Sequence, residues 1–293
     1  MSPRFQEVKL KTILVMGSKG MLGIAFMRSS GHNFNIIPVS REDFDFTRRD
    51  ELYRFLDAKK PEVVINVAAN INLAECERNK VESGKINVDF VGNLSNWCSQ
   101  KDSFLVQIST DHFYNYGSNK GHYENDEVVL LNEYAKQKYA AEKAAENSNN
   151  SLVIRTSILG YRNSGALTFI EWVLSTIKAR GKITGFVDAY TSSIDVDSFV
   201  GVVFLSIKRR LTGVYNIACS EVYSKYDLIE AIISNLDIPD IQLEPASVSE
   251  LVPKRANCCG LDVIKVQQEL GISLPNLAKV VQNLNIQEKY NEL

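Results

Sequence analysis

The sequence predicts a doubly wound α/β fold, with a parallel sheet flanked by helices in the first half of the chain and a smaller C-terminal α/β domain after it. Three observations carry this. Short apolar runs alternate with amphipathic segments from residue 12 to residue 155, a glycine-rich turn follows the first run, and the alternation becomes irregular beyond Arg155.

The elements follow in order. Thr12 to Met16 reads as the first strand, and the segment 20–29 as a helix. Asn35 to Val39 is the second strand, followed by a helix over 49–59. Glu62 to Val67 is the third, and its continuous Val63, Val64, Ile65 suits a strand buried on both faces. A helix over 83–100, a strand from Ser103 to Ile108, a helix over 132–147 and a strand from Ser151 to Arg155 complete the series. Beyond it the connections lengthen, and Pro245, Pro253 and Pro275 punctuate the last third. Residues 1–160 therefore form the first domain. Residues 161–293 form mainly a second, leaning on the sheet's carboxyl edge where open α/β folds take ligands, with segments free to return to the sheet.

The 293 residues include 33 Lys+Arg and 35 Asp+Glu, a net charge of -2, and 45% are hydrophobic. That is enough to build a core and excludes disorder as the main state. The charge balance, with no Lys/Arg block, argues against a nucleic-acid partner. No apolar run approaches the roughly 18 residues of a membrane span. Ile13 to Met16 is too brief for a signal peptide and leads into glycines. Cys76, Cys98, Cys219, Cys258 and Cys259 are odd in number and form no CxxC pair, which favours reduced thiols and a cytoplasmic location. No His/Cys/Asp cluster has metal-ligand spacing, so no metal is expected.

Gly17, Gly20 and Gly23 follow the first strand at the spacing GxxGxxG and enclose Lys19, Met21 and Leu22. Gly17 allows the tight turn, Gly20 the approach of a pyrophosphate to a helix N-terminus, and Gly23 close helix–sheet packing. This makes the first domain a Rossmann-type dinucleotide-binding unit. The second strand ends in Ser40-Arg41, and Lys19 adds a cation nearby. Arginine's planar fork suits a 2′-phosphate, so the site favours NADP(H); Glu42 and Asp43 next door leave NAD(H) as the alternative. Asp45 and Phe46 are placed to meet the adenine edge, unless Asp45 caps a turn.

The fourth strand ends in Ser109-Thr110-Asp111, and 24 residues after Thr110 stands Tyr134, followed by Lys138. Tyr134 and Lys138 share one helix face. A tyrosine ordinarily titrates near ~10. A neighbouring ammonium and a cationic nicotinamide would bring it toward a useful range, and Lys138 can also hold the nicotinamide ribose. Thr110 can hydrogen-bond a substrate carbonyl. His112 either contacts substrate or fills a loop; His32 and His122 read as solvated, and Trp97 and Trp172 as core.

This order of glycine loop, Ser-Thr and YxxxK helix resembles the extended short-chain dehydrogenase/reductase family, and within it the dTDP-4-dehydrorhamnose reductases and their relatives. The resemblance covers nearly the whole chain. It includes Asp43 to Thr47, Pro61 to Ala69, Asn87, Tyr134 to Glu142, Ile154 to Ser157, Asp188 to Ser193 and Lys254 to Asp262. It implies that Thr110, Tyr134 and Lys138 are catalytic and that Ala68 and Ala69 join the cofactor site. It also implies that Asp111, His112, Ile158, Arg255 and Asn257 face a 4-keto nucleotide sugar that is reduced at C4. The family usually has a tyrosine where His112 stands and an aromatic where Ile158 stands, which leaves the sugar open. Dehydratases of this type carry an acidic pair after the threonine, and here His112 follows Asp111; an epimerase of the same fold needs no residue beyond the tyrosine pair. A third possibility is a non-catalytic NADP-binding regulatory subunit, as in the beta subunit of methionine adenosyltransferase, which is similar to the same reductases. A homodimer is the common assembly for such enzymes.

Overall fold

The computed structural model describes residues 11–29, 34–117, 119–162, 165–179, 181–238, 240–250 and 256–292. The first half runs β1 (Lys11–Met16), α1 (Met21–Arg28), β2 (Phe34–Val39), α2 (Arg49–Lys59), β3 (Val63–Asn66), α3 (Leu73–Arg78) and α4 (Lys80–Gly84). A π-turn (Lys85–Asp89) then leads into α5 (Phe90–Lys101), β4 (Phe104–Ile108), α6 (Glu133–Glu146) and β5 (Ser151–Arg155). The single helix expected over 83–100 is thus broken by one wide turn.

The second half contains β6 (Ile158–Leu159), α7 (Phe169–Lys178), β7 (Ile183–Phe186), β8 (Tyr190–Thr191), β9 (Ile194–Asp195), α8 (Val196–Arg209) and β10 (Gly213–Asn216). It continues through β11 (Tyr223–Ser224), α9 (Lys225–Ile233), β12 (Leu243–Ala246), β13 (Cys258–Cys259), α10 (Ile264–Leu270), α11 (Leu277–Asn283) and α12 (Ile286–Glu292).

Six strands form one sheet in the order β10-β5-β4-β3-β1-β2, and every pairing in it is parallel. The strand period of two sorts the side chains onto two faces. Ile13, Val15, Val63, Ile65 and Val106 pack on one side with Phe26 of α1 and Phe199 and Val203 of α8. Leu14, Met16, Val64, Leu105 and Val153 pack on the other with Leu52, Phe90, Leu94, Trp97 and Ala141. Because β1 lies between β2 and β3, the connections diverge there and open a crevice at the strands' carboxyl ends.

The second half has a core of its own, including Ile170, Leu174, Leu228, Ile232 and Val281. It is tied to the first half by α8, which packs on α1, and by β10, which pairs with β5. Short pairs, β6 with β9 and β8 with β11 and β13, carry the chain over the crevice. Among the described residues no helix is long and apolar enough to cross a membrane.

Candidate active site

The glycine loop closes the crevice floor. Gly17 leaves β1 at φ 88°, and a Cβ there would stand 2.9 Å from the backbone of Ala68, just beyond β3. Only glycine meets both demands. The Gly17 and Ser18 N–H groups donate to the Val39 carbonyl at 2.9 and 3.0 Å, which pins the loop to the end of β2. A Cβ on Gly23 would meet the Gly17 carbonyl oxygen and come 2.6 Å from Ser18 Cα, so α1 presses directly on its own entry loop. Gly20 caps α1 with no side chain, and the first turn holds no acidic residue. The helix therefore presents its leading N–H groups and positive end to the crevice, an arrangement that fits a dinucleotide's diphosphate. Leu22 packs against the core beneath, and Met21 lies against Gly160.

At the end of β2 both acidic neighbours are occupied. The Ser40 N–H and hydroxyl donate to Asp43 at 2.8 and 3.1 Å, and Glu42 pairs with Lys19. Arg41 is exposed and has no partner among the described residues. Arg41 is thus the cation at the end of β2 that has no carboxylate beside it, while Lys19 shares a solvent-exposed pair with Glu42. Asp45 is a turn cap: it accepts from the Thr47 N–H and hydroxyl at 2.9 and 2.8 Å, and these bonds hold its carboxyl below the usual range. The expectation for Phe46 is corrected. Its ring is 3% exposed and stacks on Phe90 at 4.7 Å inside the core, so it is not available to an adenine.

Thr110, Tyr134 and Lys138 come together beside β4 and are 5%, 7% and 3% exposed. Asn132 starts α6 by accepting from the Ala135 N–H at 2.9 Å, which fixes the helix turn that bears the tyrosine. The Thr110 hydroxyl favours the Tyr134 phenolate, but burial outweighs it and pushes the phenol up to about 12, so in the free protein it is protonated and suited to give a proton away. The Lys138 ammonium donates to the Ile108 carbonyl at 2.7 Å, and burial brings it down to about 8 against the pull of Glu142. The His112 N–H donates to Thr110 Oγ1 at 3.3 Å, and its ring meets Tyr134 edge-on with centroids 5.9 Å apart. Its Nε2 is 3.9 Å from the Asp111 carboxylate, and its Nδ1 is buried without a partner. The residues assembled here can polarise a carbonyl and protonate the alkoxide formed from it.

Residues 11–289 match the model of the family described as RmlD substrate binding domain. The chain belongs to that family. It is 26% identical over 283 residues to a probable low-salt glycan biosynthesis reductase of Haloferax volcanii, covering 90% of this chain and 93% of the relative. It is 25% identical over 296 residues to the dTDP-4-dehydrorhamnose reductase of Aggregatibacter actinomycetemcomitans, covering 93% and 97%. A methionine adenosyltransferase 2 subunit beta from Pongo abelii is also 25% identical, over 289 residues, covering 90% and 86%. The fold matches the crystal structure of dTDP-4-dehydrorhamnose reductase from Bacillus anthracis in complex with NADP, with TM-score 0.87, 19% identity, and coverage of 94% and 99%.

Further residues of this RmlD-family site are set by the surrounding elements. Ala68 and Ala69 are half-buried in the turn after β3, where the Ala68 N–H donates to Asn66 at 3.1 Å. Asn87, on the π-turn, clamps Asn70 through its N–H (2.8 Å) and carbonyl (3.0 Å) and donates to Gln137 of α6 at 2.9 Å. Ile158 pairs with Ile194 and packs on the core, so its position is apolar and structural. Asn257 Oδ1 is buried without a partner, while its carbonyl accepts from the Tyr190 N–H at 2.7 Å. Arg255 lies outside the described residues, as does His32. His122 is not solvated: it is 2% exposed and stacks on Tyr114 at 4.1 Å. Trp97 is core, but Trp172 is 39% exposed because α7 turns it outward beside Phe169. Sequence reasoning passed over Lys225, whose ammonium lies 4.9 Å from the Phe169 ring centroid at the start of α9.

Proposed function

We propose that this RmlD-family protein reduces the 4-keto group of a nucleotide-activated deoxy sugar with NADPH, in the synthesis of a surface-polysaccharide precursor. The observation that carries this is the burial of Thr110, Tyr134 and Lys138 together at the carboxyl end of β4. The glycine loop and α1 would hold the diphosphate, Arg41 the 2′-phosphate and Lys138 the nicotinamide ribose. When bound, the nicotinamide supplies the hydride. Thr110 hydrogen-bonds the carbonyl oxygen and orients it, and Tyr134, protonated in the free site, gives its proton to the oxygen as negative charge develops there. Burial strengthens both contacts by excluding water. The five buried free thiols favour a reducing compartment and hence the cytosol.

The test is loss of NADPH absorbance with 4-keto-6-deoxy sugar nucleotides carrying dTDP, GDP, UDP or CDP. Turnover of one member that is abolished in Tyr134→Phe is the expected result. The relative from Pongo abelii favours a second reading, an NADP-binding regulatory subunit. Tight NADPH binding with no turnover of any ketone is its signature.

A further inference from the structure

Tyr134, Lys138 and Glu142 form one column on the buried face of α6. Each is four residues from the next, so successive members stand about 6 Å apart along the helix. Helical side chains lean toward the N-terminus, which tips Lys138 toward Tyr134 and Glu142 toward Lys138. All three are buried, and Glu142 is wholly so. A carboxylate one turn from an ammonium pulls hard on it in such surroundings, because little water or salt screens the attraction. The pull has a direction. A helix joining two parallel strands runs back against them, so a step toward Glu142 is a step away from the crevice.

Lys138 does not take that step. Its Nζ donates to the Ile108 carbonyl at 2.7 Å, at the end of β4 and two residues before Thr110, and no ion pair within 4.0 Å joins it to Glu142. Glu142 is held by Arg155 instead. Arg155 Nε reaches both carboxylate oxygens, at 3.0 and 3.2 Å, and Nη2 takes one of them at 2.8 Å. The fork itself is fixed from behind, since Nη1 donates to the Tyr114 hydroxyl and the Glu124 carbonyl and the guanidinium lies 5.2 Å from the Phe113 ring centroid. A planar guanidinium can cover a carboxylate in this way, whereas a lysine meets it at a single point.

The other titratable and charged groups about the column are Asp111 and His112 from the loop after β4 and Cys76 from α3, all on the Tyr134 side. Glu142 is the group whose charge bears on Lys138, and with Arg155 upon it burial still brings the ammonium down to about 8. We propose that Arg155 is a positioning residue for the reduction: by occupying both oxygens of Glu142, it keeps that carboxylate from drawing the Lys138 ammonium away from the end of β4. This rests on the assignment of Lys138 to the nicotinamide ribose.

The experiment follows the Lys138 amine itself, by NMR of the full chain with isotope-labelled lysine and the signal assigned through its loss in Lys138→Met. In Arg155→Met the titration midpoint should rise from about 8 toward the ordinary 10.5, as the released carboxylate favours the ammonium. In Arg155→Met/Glu142→Gln it should return to about 8 or below. NADPH affinity at neutral pH should fall about tenfold in the single variant and recover in the double. Arg155→Lys keeps the charge without the fork and should move the midpoint part of the way, which decides the matter if Arg155→Met does not fold. A midpoint that stays put when Arg155 is replaced, or stays raised when Glu142 is replaced as well, overturns the proposal. A pair that only staples α6 to the sheet would lower stability in these variants and leave the amine's titration unchanged. If the midpoints move as expected while NADPH affinity is the same throughout, the ribose assignment fails and the control of Lys138 by Arg155 stands.

Discussion

Arg155, at the end of β5, grips the Glu142 carboxylate of α6 with bonds of 3.0, 3.2 and 2.8 Å, both side chains being almost wholly buried. Its remaining nitrogen donates to the Tyr114 hydroxyl at 2.7 Å and the Glu124 carbonyl at 3.0 Å. The pair locks the catalytic helix to the sheet one turn beyond Lys138. Because the guanidinium is fully engaged, removing Glu142 strands a buried cation. Glu142→Gln should cost about 3–5 kcal/mol, read from urea unfolding. A cost below about 1 kcal/mol would show that water reaches the pair.

Tyr134→Phe removes the proton donor and little else, since its ring stays in place. Turnover should fall by a factor on the order of 100 or more, with NADPH affinity retained. Steady-state kinetics with calorimetry checks this, and near-normal turnover would remove Tyr134 from the proton-donor role.

Arg41 is the exposed cation at the end of β2 that has no carboxylate beside it. Arg41→Ala should weaken NADPH about 10–100-fold, the loss of hydrogen bonds to a charged group, and weaken NADH far less. Fluorescence titration with both cofactors reads the difference; equal losses would move 2′-phosphate recognition elsewhere.

Lys138 is charged below about pH 8 and neutral above it. NADPH affinity should therefore decline as pH rises past about 8. Its folded value lies below the ordinary 10.5, so between the two the unfolded chain holds the extra proton. This group's contribution to stability therefore increases with pH across that window and is at its least below about 8. Urea melts of wild type against Lys138→Met across that range, beside binding titrations, should show affinity and stability moving in opposite directions. Parallel trends would point to another group.

Gly23→Ala places a methyl group against the Gly17 carbonyl and Ser18 Cα, both backbone. A cost of roughly 1–3 kcal/mol in stability is expected, together with weaker cofactor binding as the loop shifts. Thermal melts with and without NADPH measure both, and an unchanged melting temperature would mean that α1 can slide outward.

The sheet was readable because its inner strands carry short apolar runs, and the glycine loop because two of its glycines meet backbone that admits no side chain. The return of β10 was not, since Gly213 to Asn216 is four residues whose strand character comes from pairing with β5. Tyr134 and Lys138 were singled out by their order after the glycine loop and Ser109-Thr110, since helix spacing alone does not separate such a pair from an ordinary one. Phe46 was misassigned because nothing local tells an aromatic beside a cofactor from one that stacks on Phe90. Lys225 follows a capping serine and looks like an ordinary first-turn residue; only the tertiary fold brings it against the Phe169 ring. His122 and Trp172 exchanged their expected places for the same reason, a polar ring finding a stacking partner and an apolar one lying on the outer face of α7.

The π-turn over Lys85–Asp89 has a consequence for how this chain can vary. A π-turn is one residue more than an α-helix needs, so it behaves as an insertion fixed into the register. Losing one of those residues other than Asn87 would restore a regular helix and leave the flanking turns close to their present facing, because five residues at the wider winding turn about as far as four in an α-helix. The change would fall inside the stretch, on Asn87 and its bonds to Asn70 and Gln137, while the deletion itself would cost the helix no hydrogen-bonded ladder. Substitution of the exposed Asp89 should thus be far better tolerated than either a change in the length of the stretch or the loss of Asn87.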